Sequence, residues 1–243
     1  MTEPVLVIFD CDGTLIDSQH VICAAMDHAF ADNGLPGPGR EATLEIVGLS
    51  LPEAMARLAP DADGDRVTAL GASYKAAFNK FRQEFANREP MYEGARETLV
   101  ALDALEGCLL GIATGKSRRG VDHFLAREAM PVRFATIQTA DTARSKPDPD
   151  MLMKALSETG VSASRAVMIG DTTYDMEMGR AADVATIAVT WGYHAPRALM
   201  TSAADHMVDD FTALLTTLGD LFPDAIPTLS SAGSRPADLV TGG

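Results

Sequence analysis

Asp10 and Asp12 stand two residues apart at the end of an unbroken apolar run, Val5 to Phe9, in the stretch VLVIFDCDGTLIDS. A run of that kind reads as a buried strand, and buried charge is costly unless it is paired or holds a cation. Two carboxylates at i and i+2 on a strand end suit a hard cation with oxygen ligands. A solvated turn capped by aspartates is the plain alternative, and the five apolar residues ahead of the pair argue against it. Three further groups have types and spacing fit for chemistry. Thr114 and Gly115 follow the apolar run Leu109–Ala113 and precede a helical pattern from Ser117 to Arg127. A hydroxyl beside helix-start amides is a natural phosphate cradle, and the same groups serve equally as a helix cap. Lys116, Arg118 and Arg119 place positive charge at that helix start, where the helix dipole disfavours it, which hints at an anion nearby. A solvated basic face accounts equally well for the two arginines. Lys146 precedes Pro147, which holds the lysine backbone extended and fixes its aim. Asp171 and Asp175 lie at i and i+4, so a helix starting near Thr172 lets both reach one cation; two N-terminal caps are the alternative. Gly170 ahead of Asp171 points to close backbone approach.

The elements that must position these groups are legible as β-branched apolar runs: Val5–Phe9, Leu109–Ala113, Arg133–Ile137, Ala166–Ile169 and Ala185–Val189. Helical patterns alternate with them, so the fold class is α/β, a Rossmann-like parallel sheet wrapped by helices. Ligands of such sheets bind beyond the carboxyl ends of the strands. Three of the runs end in polar groups (Asp10 to Gly13, Thr114 to Lys116, Gly170 to Thr172), which therefore converge on one crevice. The interval from Leu15 to Cys108 is too long for a simple crossover and reads as mostly helical. Val21, Ile22, Ala25, Met26, Ala29 and Phe30 form one apolar face closed by Asn33-Gly34. A second helix is predicted over Ser73 to Phe85, with Ala77, Phe78, Phe81 and Phe85 on one face as ordinary packing. Leu35–Gly39 and Ala59–Asp65 read as loops. The predicted organisation is a core of residues 1–16 and 89–220, an inserted helical cap of residues 17–88, and a loosely ordered tail of residues 221–243.

Acidic residues outnumber basic ones by 34 to 20, a net charge of −14, which disfavours nucleic acid and anionic membranes as partners. Cys11, Cys23 and Cys108 are odd in number and lack metal-type spacing, consistent with reduced thiols in a cytoplasmic protein. Cys11 should point away from its flanking aspartates into the core. The N-terminus lacks a signal-peptide pattern, and no stretch of transmembrane length is free of charge. No histidine pair has metal spacing. Trp191 and Tyr193, flanking Gly192, read as a packed surface loop, with the edge of the crevice as the alternative. Nothing in the sequence specifies an oligomeric state.

The four pieces DCDGTLIDS, IATGKS, SKPDPDML and MIGDTTYD, in this order, resemble the haloacid dehalogenase superfamily, closest to its phosphoglycolate phosphatase-like branch with a helical cap. The resemblance spans Val5 to about Leu218. It implies a Mg²⁺-dependent phosphatase acting on a small phosphorylated metabolite. By the same resemblance Asp10 is the nucleophile that forms an aspartyl-phosphate, and Asp12 is the acid and then the base. Thr114, Gly115, Lys116 and Lys146 bind the phosphoryl group, Thr114 and Lys146 being part of the catalytic set. Asp10, Asp12 (through its backbone carbonyl), Asp171 and Asp175 hold the metal. Alternatives carried by the same motifs are a β-phosphoglucomutase-like phosphotransferase, a pyrophosphatase or a nucleotidase. Asp12 departs from the dehalogenase and phosphonatase patterns, and an idle binding domain would be expected to lose one of the four pieces. The stretch Glu41 to Met55, broken around Gly48 and Ser50, is the expected specificity loop of the cap.

Overall fold

The computed structural model describes residues 3–84, 89–202 and 204–227. Among them six strands form one sheet: β1 (Val5–Phe9), β2 (Cys108–Thr114), β3 (Phe134–Thr139), β4 (Ala166–Gly170), β5 (Ala185–Val189) and β6 (His206–Val208). Four helices, α1 (Gln19–Asp32), α2 (Arg40–Glu45), α3 (Leu51–Leu58) and α4 (Gly64–Glu84), lie between β1 and β2, followed by α5 (Ala95–Asp103). Then α6 (Arg118–Arg127) follows β2, α7 (Asp150–Thr159) follows β3, α8 (Thr173–Ala181) follows β4, α9 (Pro196–Thr201) follows β5, and α10 (Phe211–Leu221) follows β6.

The strand order is β3-β2-β1-β4-β5-β6, and every pairing is parallel. A parallel sheet needs cover on both faces, which is why β1 is buried at all five positions. Val5, Val7 and Phe9 pack into the layer that holds Leu99 and Leu102 of α5 and Leu214 and Leu218 of α10. Leu6 and Ile8 point the other way, against Leu152 of α7 and Met178 of α8. The alternation is the period of two expected of a strand. Each such side chain contributes about 1.5–3 kcal/mol by leaving water. The chain runs from β1 outward through β2 and β3, then returns to β4 on the other side of β1. The crevice beyond the carboxyl ends of β1 and β4 is therefore a topological switch point.

Helices α1 to α4 pack around their own apolar cluster. Met26 and Phe30 of α1 meet Met55 of α3 and Leu70 of α4. The buried face of α1 is Val21, Ile22, Ala25, Met26, Ala29 and Phe30, as its spacing predicts, and Asn33 ends the helix. Three features differ from the sequence expectation. Helix α4 starts at Gly64 and not at Ser73, because the Asp63 carboxylate accepts the Arg66 N–H and starts the helix inside a loop-like composition. Strand β6 is three residues long, with His206 and Met207 exposed, too short to show a period. The predicted loose tail begins too early. Phe222, Ala225 and Ile226 are buried against the α10 side of the core, continuing its apolar spacing by i, i+3 and i+4. Residues 228–243 lie outside the described residues, as does Phe85. No helix among the described residues is long and apolar enough to cross a membrane.

Candidate active site

Asp10 follows β1 directly, and its side chain is 1% exposed. Asp171 follows β4, and Asp175 sits in the first turn of α8; both are fully buried. One ligand oxygen from each of Asp10, Asp171 and Asp175 lies within 4.8 Å of the others. The i, i+4 spacing of Asp171 and Asp175 thus places both at one point, because Thr172 caps α8 and starts the helix between them. The capping reading of Asp175 holds, and the same carboxylate belongs to the acidic cluster. It completes a capping box with Thr172, accepting the Thr172 N–H at 3.1 Å and its hydroxyl at 2.7 Å. Its other oxygen accepts from Lys146 Nζ at 2.6 Å. Gly170 is required here because a Cβ would collide with the Asp175 carboxylate.

Lys146 is fully buried and forms ion pairs with Asp175 at 2.6 Å and Asp10 at 3.1 Å. Burial works against its charge, but Asp10 and Asp175 outweigh burial and hold the ammonium well above the ordinary lysine range. Asp171 accepts the Thr14 hydroxyl at 2.9 Å and the Tyr193 N–H at 2.8 Å. Burial, then Asp10, then Asp175 push Asp171 well above the usual carboxylate range. Burial likewise raises Asp10 to about 6, with Lys146 opposing and Asp175 adding to the rise. Apart from the Lys146 ion pair to Oδ1, the two buried oxygens of Asp10 have no hydrogen bond among the described residues.

Unbonded buried oxygens beside two further carboxylates are what a hard, oxygen-seeking divalent cation fits. The side chain of Asp12 lies apart from this cluster. Lys116 Nζ donates to its two oxygens at 2.8 and 2.9 Å, and Ser18 Oγ donates to Oδ1 at 2.5 Å. Lys116 is itself sandwiched, its ammonium 5.4 Å from the ring centroid of Phe78 on α4. Burial opposes the Lys116 charge, while Asp12 and Glu89 raise it. Arg118 and Arg119 are exposed, and Arg118 pairs with Asp122, so these two form the solvated basic face. Cys11 packs with Ile112 and Val121, away from the carboxylates.

The segment between α2 and α3 presses on the crevice. A Cβ on Gly115 would lie 2.6 Å from the carbonyl oxygens of Gly48 and Leu49, so only glycine admits this approach. Ser50 N–H donates to Ser145 Oγ at 2.7 Å, next to Lys146. Tyr174 Oη accepts from Arg57 at 2.8 Å and donates to the Glu45 carbonyl at 2.9 Å. A cleft of about 650 Å³ opens between α3 and the Ser145–Asp148 loop.

Thr14, Ser18 and Glu89 join the site without having been predicted, and Tyr193 takes the alternative place at the edge of the crevice. Tyr193 in particular is no surface loop residue. Its amide holds Asp171, its hydroxyl meets Ser18, and its ring packs with Ile22, Leu44 and Val47. Ser18 is likewise drawn into the site. It occupies the N-cap of α1, yet its side chain makes no cap hydrogen bond.

The family described as haloacid dehalogenase-like hydrolase matches residues 7–189 of the chain. A protein of Dickeya dadantii (strain 3937), "Probable phosphatase IndB", is 34% identical over 86% of this chain and 91% of its own length. A phosphoglycolate phosphatase of Pseudomonas savastanoi pv. phaseolicola is 31% identical over 98% of this chain and 88% of its own. The crystal structure of a hydrolase from Pseudomonas syringae superposes with a TM-score of 0.78 at 24% identity, covering 89% of this chain and 98% of that one; this likeness is one of fold.

Proposed function

Because the chain belongs to the haloacid dehalogenase-like hydrolases, as one of their phosphatases, we propose that it hydrolyses a small phosphomonoester through an aspartyl-phosphate on Asp10. The observation that carries this reading is the pair of buried, unbonded Asp10 oxygens beside Asp171, Asp175 and Lys146. Mg²⁺ would be held by the carboxylates of Asp10, Asp171 and Asp175 and by the backbone carbonyl of Asp12. When bound, it neutralises the carboxylates and polarises the phosphoryl oxygens.

In the first displacement an Asp10 oxygen bonds to phosphorus as the bond to the leaving oxygen breaks, and Asp12 gives that oxygen a proton. In the second, Asp12 takes a proton from water, water bonds to phosphorus, and Asp10 leaves with its electron pair. Lys146 offsets the charge of the nucleophile and of the phosphoryl group. The Thr114 hydroxyl and the amides of Gly115 and Lys116 bind the remaining phosphoryl oxygens. Helices α1 to α4 act as a cap that excludes bulk water, with residues 46–50 seated over Gly115. Phosphoglycolate is the first substrate to try, by similarity to the Pseudomonas relative. Phosphate release should be measured over phosphoglycolate, inorganic pyrophosphate, nucleoside monophosphates and sugar phosphates, with Mg²⁺ and with EDTA. Turnover of at least one ester in Mg²⁺, silenced by EDTA and restored by Mg²⁺, is expected. Full activity in chelator, or none in either buffer, contradicts the reading.

A further inference from the structure

Ser18 and Tyr193 form a chain of donors that ends on Asp12. The Ser18 N–H donates to Tyr193 Oη at 2.9 Å. Ser18 Oγ gives its proton to Asp12 Oδ1 at 2.5 Å. The remaining contact, Tyr193 Oη to Ser18 Oγ at 3.2 Å, can then be donated only by the tyrosine, because the serine proton is already committed. The sense of the chain is therefore set: Tyr193 O–H to Ser18 O–H to Asp12.

Three observations make this more than packing. A serine at a helix N-cap normally spends its oxygen on an amide of the first turn, worth about 1 kcal/mol to the helix. Ser18 forgoes that bond and turns to Asp12, although it is fully buried. Tyr193 is also anchored at its backbone, where its N–H holds Asp171 Oδ2 at 2.8 Å. Finally, the indole of nearby Trp191 donates to the Thr14 carbonyl at 3.1 Å, and the Thr14 hydroxyl holds Asp171. The loop after β5 thus grips the Asp10 to Ser18 segment at its middle and at its Ser18 end.

We propose that Tyr193 and Ser18 are positioning residues that, from the Oδ1 side and beside the Lys116 ammonium that bridges both oxygens, set the rotation of the Asp12 carboxylate from which the proton is transferred. This rests on the reading of Asp12 as the acid of phosphoryl transfer. It assigns no contact with substrate to either residue.

The test uses the full chain with Mg²⁺ and two esters of similar shape, p-nitrophenyl phosphate and phenyl phosphate. The first leaves readily as an anion, whereas the second depends on protonation. The value kcat/KM reports transfer to Asp10. Tyr193→Phe keeps the ring and the amide bond to Asp171 and removes only the hydroxyl. The ratio of kcat/KM for phenyl over p-nitrophenyl phosphate should fall about fivefold, the worth of roughly one hydrogen bond. Ser18→Ala should lower the ratio at least as far, and adding Tyr193→Phe to it should lower it no further. A merely structural role would depress both esters together. An unchanged ratio in Tyr193→Phe, or additive effects in the double variant, overturns the relay. If Ser18→Ala does not fold, the Tyr193→Phe ratio alone decides. Failure of the wild type on both of these esters and on every ester of the phosphate-release panel removes the phosphatase reading and the relay with it.

Discussion

Lys146 is the residue on which the metal-free site depends most. Its ammonium is fully buried between Asp10 and Asp175, so removing it strands two carboxylates among themselves. Breaking a buried ion pair from one side costs about 3–5 kcal/mol. Lys146→Met should therefore lower the unfolding free energy of the metal-free protein by about that amount, read from denaturant midpoints. Mg²⁺ should restore more stability to the variant than to the wild type, because the cation replaces the lost positive charge. Equal midpoints without metal would mean that the lysine is not carrying these charges. Asp10, Asp171 and Asp175 were legible from type and spacing, since buried strands that end in charge demand a partner, whereas Lys146 was singled out by its place before Pro147 together with the family resemblance. Ser18 was not legible, and Tyr193 was so only as an alternative at the edge of the crevice. Their role depends on a contact 175 residues apart in the chain, and no periodicity reports it.

At the scale of elements, the sheet order does most of the positioning. It brings the ends of β1 and β4 together, and each delivers a carboxylate to the same point. The cap helices are held by a few polar links, one of which is sensitive to pH. His194 Nδ1 accepts the Thr173 N–H at 3.1 Å, so Nε2 carries the proton toward the Glu45 carbonyl, also at 3.1 Å. Burial lowers His194 below its ordinary 6.5. A histidine held neutral by the fold contributes stability above the unfolded value, and that contribution is lost as pH falls through the lowered one. The melting temperature of the wild type should exceed that of His194→Ala near about pH 8, and the gap should shrink toward about pH 5. A gap that widens in acid would contradict the neutral, accepting ring. The strands and α1 were readable because their apolar patterns are long and regular. Helix α2, helix α3 and the first part of α4 were not, because glycine, proline and aspartate punctuate them. There the packing of Met55 and Leu70 against α1 overrides local preference.

Across the whole molecule, the apolar core extends beyond what composition suggests. Residues 222–227 look like the start of a loose tail, yet Phe222 and Ile226 are nearly inaccessible to solvent. Ile226→Ala should cost about 2–5 kcal/mol in unfolding free energy, as buried large-to-small changes do. A loss under about 0.5 kcal/mol would place that residue at the surface instead. The site should be locally unaffected, since Ile226 packs in the α10 layer rather than at the crevice. The net charge of −14 has its counterpart at the centre, where acidic groups gather around Lys146 and are suited to a divalent cation. Residues 46–50 approach the crevice at Gly115 and Phe78 faces Lys116; their chemistry is apolar and backbone-rich and so carries little substrate signal in the sequence.

The aspartyl-phosphate is the most direct thing to look for. The protein would be mixed with Mg²⁺ and the ester it turns over fastest, quenched in acid within one turnover, reduced with borohydride and mapped by mass spectrometry. The expected result is conversion of Asp10 to homoserine only when metal and ester were both present, and no conversion at Asp12, Asp171 or Asp175. Turnover with Asp10 unmodified, or the adduct on another carboxylate, would contradict Asp10 as the nucleophile.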